Sequence, residues 1–199
     1  MITVREEFAV GCLLMAAGNA KRFGENKLLC AAGDGRSLIE HALDAIPREC
    51  FARVLVVTQY DAVAALAEAR GFETLRNEHP ERGQSETIRL GVAALQRDCG
   101  AICFMVADQP LLRRETVARE VDFFAAHPQH IVALGHRGTR GNPCLFPARF
   151  FPELLSLSGD VGGSAVIRRH TDDLLLYEAN GRELRDVDTK AALADLTRA

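Results

Sequence analysis

The residues able to do chemistry in this sequence gather where apolar runs end. In LLMAAGNAKRFGENKLL, Leu13 to Leu29, an apolar run stops at Gly18, and Lys21, Arg22, Gly24 and Lys27 follow within nine residues. Glycines let a ligand approach the backbone closely, and free N–H groups beside a guanidinium fork and a lysine point charge suit phosphate oxygens. A plain surface turn is the simpler reading of the same residues. The loop is neither G-x-x-x-x-G-K-[ST] nor G-x-G-x-x-G, so it is not a Walker loop or a dinucleotide fingerprint. A second loop, ADQP, delivers Asp108 just before Pro110. A carboxylate at the end of a buried strand is desolvated unless paired or metal-bound, so magnesium bridging to phosphates is a natural partner, and capping of the next turn is the alternative. A third segment, RGQSETIRLG, clusters Gly83, Ser85 and Thr87 where a helix begins, with hydroxyls that suit a base, a ribose or an ordinary N-cap. Asp186 and Asp188 in DVDT form a further carboxylate pair, fit to complete a metal site or to sit in a solvated turn.

The elements that must position these loops follow from hydrophobic patterning. Cys12–Ala17, Val54–Val57, Ala101–Ala107 and Ile131–Leu134 are apolar on consecutive positions, which predicts strands covered on both faces, as in a parallel sheet. Helical spacing lies between them. Ile39, Ala42, Leu43 and Ile46 follow a capping box of Ser37 and Glu40, with Pro47 ending the segment; Val63, Leu66 and Ala67, then Ile88, Val92 and Leu95, then Val117, Val121 and Phe124 mark three more helices. Alternating strand and helix predict right-handed βαβ crossovers and an open three-layer α/β fold, whose ligands bind beyond the carboxyl ends of the strands. From about Thr139 the pattern is less regular and reads as a flap or an extension on the same sheet.

With 199 residues, 48% of them hydrophobic and 26% charged, residues 1–199 read as one domain with one sizeable core. A formal net charge of −3 gives no general pull toward nucleic acid or membrane, so any phosphate binding must be local. No run approaches the roughly 18 to 20 apolar residues of a membrane span, and MITVREEFAV lacks the order of a signal peptide, which predicts a cytoplasmic protein. Cys12, Cys30, Cys50, Cys99, Cys103 and Cys144 form no C-x-x-C pair and are read as reduced, and the histidines show no ligand spacing.

LLMAAGNAKRFGENK resembles the L-A-A-G-x-x-x-R-x-G-x-x-K signature of nucleotidyltransferases of the molybdenum cofactor type. The likeness continues in order through GQSET, ADQP, GNPCLF, GDVGG and DVDT, spanning about Leu13 to Thr189. The sequence is most similar to the MobA-like NTP transferases, among them the molybdenum cofactor cytidylyltransferases and molybdenum hydroxylase accessory proteins. That resemblance implies a Rossmann-like, mostly parallel α/β/α fold of the nucleotide-diphospho-sugar transferase type. It also implies transfer of CMP from CTP to molybdopterin with release of pyrophosphate, Mg2+ as cofactor, and a molybdenum hydroxylase as client. Carried over, Ala16, Ala17 and Gly18 line the nucleotide pocket, Arg22 holds the triphosphate, and Lys27 steadies the reacting phosphates. Ser85 and Thr87 help seat the nucleotide, and Asp108 binds magnesium with Asp186 or Asp188 as second ligand.

Guanylyltransferase relatives read L-A-G-G where this chain has Ala17 before Gly18. The extra methyl narrows the pocket and favours a pyrimidine, so CTP is expected over GTP or another NTP, by about 1–3 kcal/mol. The sequence departs from the pattern at Ala20, where many relatives carry serine, and at Lys190–Ala192, where P-E-D is usual. Two other roles fit the same motifs: a cofactor-carrying chaperone for a molybdenum hydroxylase, and a nucleotidyltransferase acting on a sugar or polyol phosphate.

Overall fold

In β1 (Val10–Ala16) every residue except Met15 is buried, a burial on both faces that only an interior strand attains. The computed structural model of the protein describes residues 9–18 and 26–195. β1 pairs in parallel with β2 (Arg53–Thr58) on one side and β4 (Ala101–Val106) on the other. β3 (Glu73–Arg76) extends the β2 edge. Beyond β4 come β5 (Ile131–His136), β6 (Thr139–Pro147) and β7 (Leu174–Glu178), giving one seven-stranded sheet in the order β3-β2-β1-β4-β6-β5-β7. Only β6 runs antiparallel, to both β4 and β5.

The helices cover both faces. On one, α1 (Leu38–Asp44), α2 (Asp61–Glu68) and α4 (Arg114–Ala126) bury Ile39, Val63, Val117 and Phe124 against Leu14, Val56 and Met105. On the other, α3 (Gln84–Leu95), α5 (Phe151–Leu155) and α6 (Ser164–Arg169) bury Ile88, Leu95, Leu154 and Val166 against Leu13, Ile102 and Phe146. α7 (Lys190–Asp195) ends the described chain. The result is a three-layer α/β/α architecture, and among the described residues no helix is long and apolar enough to cross a membrane.

The four expected strands and four expected helices all form. α1 starts as its capping box requires: the Ser37 backbone N–H donates to Glu40 Oε2 at 2.8 Å and the Ser37 hydroxyl donates to the same oxygen at 2.6 Å. α3 lies so close to β1 that a Cβ on Gly91 would stand 2.3 Å from Leu13 Cδ2. GNPCLF is not an appendage but the body of β6. Its hairpin with β5 turns on Arg137 (φ 51°) and Gly138 (φ 79°), two consecutive left-handed residues whose twist matches that of paired strands. No Asn-Gly or Asp-Gly marks this turn in the sequence. β3 is likewise unannounced, a short strand with half-exposed side chains and no apolar run, whereas β7 does carry one, Leu174–Tyr177, within the stretch whose pattern is less regular.

Candidate functional site

The sheet changes winding direction between β1 and β4, and the crevice beyond their carboxyl ends is where an open α/β sheet receives a ligand. Ala16, Ala17 and Gly18 stand at the β1 end of that crevice. Three consecutive side chains at the end of β2 hold them: Thr58 Oγ donates to the Ala16 carbonyl at 3.0 Å, Gln59 Nε2 to Ala17 at 2.8 Å, and the Tyr60 hydroxyl to Gly18 at 3.3 Å. These tethers went unnoticed in the sequence, where TQY looks like an ordinary strand exit. Arg22, proposed to hold the triphosphate, lies outside the described residues, as do Lys21 and Gly24.

The chain re-enters at Asn26, whose Oδ1 accepts the Leu28 N–H at 3.1 Å and caps a single 3-10 turn, Lys27–Leu29. Leu28 is buried in the core and anchors the turn, so Lys27 is aimed across the crevice. Its ammonium donates to Asp108 Oδ2 at 2.8 Å, to the Val187 carbonyl at 3.1 Å and to Asp188 Oδ1 at 3.3 Å. Desolvation acts to lower the Lys27 pKa, but the hydrogen bond and charge of Asp108, joined by Asp188, outweigh it and hold the pKa above the ordinary lysine value. Lys27 is a fixed positive charge.

The DVD segment is stapled to the end of β4 from three directions. The Val187 N–H donates to the Asp108 carbonyl at 2.9 Å, with Val187 itself buried between the two aspartates. Gln109, also buried, donates through Nε2 to Asp186 Oδ1 at 2.9 Å and to the Leu184 carbonyl at 3.2 Å. Buried Glu183 pairs with Arg113 at 3.1 Å. Asp186 is exposed as a side chain, yet its carboxyl is pushed above the usual carboxylate range, first by local desolvation and then by the charge of Asp108. Three carboxylates against one ammonium leave a formal charge of −2. Such a set of hard oxygen donors fits Mg2+ or Mn2+, which are commonly held by one or two carboxylates plus substrate phosphates. It is not a closed cage: among the described residues no three His, Cys, Asp or Glu side chains converge to hold an ion by themselves.

Ser85 and Thr87 sit at the start of α3, both buried. Gly83 (φ 84°) lets that helix start lie against the GDVGG loop, where a Cβ would be 2.6 Å from Gly159 carbonyl atoms, and the Ser85 N–H donates to the Gly159 carbonyl at 3.3 Å. The Thr87 hydroxyl is taken internally, accepting Asn77 Nδ2 at 3.1 Å. Asn77 was not anticipated. Between α3, β6 and the GDVGG loop opens a cleft of about 210 Å3 whose wall includes Val106, two residues before Asp108. Arg140 and Asn142 reach it from β6; Asn142 lies within GNPCLF and Arg140 one residue ahead of it, and the motif gives neither a role.

A Rossmann-like crevice carrying a fixed lysine opposite grouped aspartates, with a second cleft alongside, defines the nucleotidyltransferase class. The chain belongs to the family of MobA-like NTP transferase domains, whose model matches residues 12–174, and it is a nucleotidyltransferase. No curated protein sequence matches it. Among solved structures, Rv0371c from Mycobacterium tuberculosis H37Rv superposes with a TM-score of 0.82 at 24% identity, covering 96% of this chain and 98% of that one. Its manganese complex gives 0.75 at 22%, covering 96% and 99%. Mth528, a nucleotidyl transferase from Methanothermobacter thermautotroptrophicus, gives 0.77 at 20%, covering 92% and 94%. A CMP:2-keto-3-deoxy-manno-octonic acid synthetase complexed with CTP gives 0.74 at 13%, covering 96% and 97%, and so shares the fold.

Proposed function

We propose that this chain, acting as a single nucleotidyltransferase domain, transfers CMP from CTP to the terminal phosphate of molybdopterin and releases pyrophosphate. The product would then serve a maturing molybdenum hydroxylase in the cytoplasm. The observation that carries this reading is the placement of Lys27, Asp108, Asp186 and Asp188 at the ends of β1 and β4, beside a cleft bounded by the GNPCLF and GDVGG segments. Asp108 with Asp186 or Asp188 would hold Mg2+, which would neutralise charge on the nucleotide phosphates.

The reaction needs no protein nucleophile. An oxygen of the acceptor phosphate forms a bond to the α-phosphorus of CTP, the bond from that phosphorus to the bridging oxygen breaks, and pyrophosphate leaves with the electron pair. Lys27 would supply positive charge where negative charge develops on the phosphates, and Arg22 would add a second cation on the triphosphate. Ala17 is nearly fully buried at the strand end, and its methyl would narrow the base pocket and disfavour a purine. Ser85 and Thr87 would help seat the nucleotide from the start of α3.

The test is pyrophosphate release on mixing the protein with Mg2+, molybdopterin and either CTP or GTP. The expected result is release with CTP about tenfold or more faster than with GTP, the lower part of a 1–3 kcal/mol discrimination. Equal or faster turnover with GTP overturns the base assignment, and release only with a sugar or polyol phosphate reassigns the acceptor.

A further inference from the structure

The cleft beside the aspartates has an unusual charge balance. Among the described residues, Arg140 is the one side chain on its wall carrying a full charge, and no carboxylate lines it. The guanidinium makes a single weak contact, Nη1 lying 3.6 Å from Cys144 Sγ, and among the described residues no acidic group is within ion-pair reach of it. Cys144 is no counter-ion, because burial pushes its thiol up to about 12. Most of the rest of the wall is neutral and of two kinds. Gln84, Asn142 and Ser164 offer amide and hydroxyl groups, and Phe104 packs edge-to-face on Phe146 with ring centroids 5.3 Å apart as an apolar floor. Room for the Gln84 carboxamide depends on Gly162, where a Cβ would stand 2.2 Å from Gln84 Oε1.

An acceptor that attacks through a phosphate brings two negative charges toward a group of side chains with a formal charge of −2. Some cation must receive that phosphate on the acceptor's own side of the reaction centre, because Lys27 is already engaged with Asp108 and Asp188. A guanidinium without a carboxylate partner, set in a partly desolvated cleft, is built for this: its fork matches two phosphate oxygens at once.

We propose that Arg140 is the specificity-determining residue of the acceptor site, binding the phosphate monoester of the incoming acceptor through its guanidinium fork. The inference rests on the reading that the acceptor is a phosphate monoester such as molybdopterin, and its test separates the two.

Arg140→Gln and Arg140→Lys are compared with the natural protein in Mg2+, by pyrophosphate release at varied molybdopterin and by calorimetric titration with CTP. Losing a bidentate charged contact is expected to raise the acceptor KM about 10- to 100-fold in Arg140→Gln, with CTP affinity unchanged. Arg140→Lys keeps the charge without the fork and should recover part of the loss. It also stands in for Arg140→Gln if that variant fails to fold. An unchanged acceptor KM, or a parallel loss of CTP affinity, overturns the proposal. If the natural protein transfers nothing to molybdopterin, titration with phenyl phosphate decides. Binding that weakens in the Arg140 variants sustains the anion site while the molybdopterin reading falls; equal binding, or none, overturns the site.

Discussion

Lys27 takes three hydrogen bonds from a single ammonium, two of them to carboxylates that lie 81 and 161 residues away in the chain. Its charge therefore belongs to the site rather than to solvent. Asp108→Ala removes the partner common to Lys27 and the proposed cation, and should abolish transfer, at least 1000-fold in rate, while circular dichroism stays native; full Mg2+-dependent activity in that variant would sink its assigned role. Lys27→Ala should lower kcat with little change in CTP binding, since its charge acts where negative charge develops in the transition state. A drop in melting temperature alone, with kcat intact, would make Lys27 structural. Ala17→Gly, which deletes the methyl proposed to narrow the base pocket, should bring the kcat/KM for GTP up toward that for CTP by about tenfold, read in competition assays.

Among the elements, α3 and the GDVGG loop meet where neither backbone has a side chain to spare. Gly83→Ala forces a Cβ onto a left-handed residue and into the Gly159 carbonyl, and should destabilise the protein by about 2 kcal/mol or more, measured by urea unfolding. α4 carries a different burden. Glu120 is fully buried under the sheet and neither carboxylate oxygen has a well-placed hydrogen-bond partner; the Leu134 backbone N–H opposes the effect of burial without overcoming it. Burial pushes its pKa well above the carboxylate range, so the folded protein holds a proton that the unfolded chain releases. That contribution to stability is whole below the ordinary glutamate pKa and is lost as pH rises toward the raised folded value. Glu120→Gln should flatten this slope, giving a higher urea midpoint than the natural protein at pH 8 and a smaller difference at pH 5.

For the molecule as a whole, a nucleotide bound across β1 and β4 would join elements that otherwise meet only through the sheet and the stapled residues 183–188. CTP with Mg2+ at about 100 times its dissociation constant should stabilise the protein by about 2.7 kcal/mol, a rise of roughly 5–10 °C in melting temperature that a chelator removes. No shift with CTP would separate the chain from CTP chemistry. Consecutive apolar positions, as in Cys12–Ala17 and Ala101–Ala107, are a local signal of a strand buried on both faces, so the central strands and the helices between them were legible in the sequence. So were Lys27 and Asp108, because a loop after such a strand has few uses for a charge. β3 and the antiparallel course of β6 were not legible, since edge pairing and a turn on Arg137–Gly138 leave no periodic trace; β7 carries an apolar run, Leu174–Tyr177, but its place at the far edge was not legible. The sequence by itself determined the layered α/β class and the ends of β1 and β4 as the places where charged loops begin, since both follow from which residues must avoid water. Tertiary structure alone decided that Asp188 shares Lys27 with Asp108, that the Thr87 hydroxyl accepts from Asn77, and that Arg140 faces a cleft in which no described carboxylate stands. Each of these depends on contacts between residues far apart in the chain, whose partners are set by how the sheet packs.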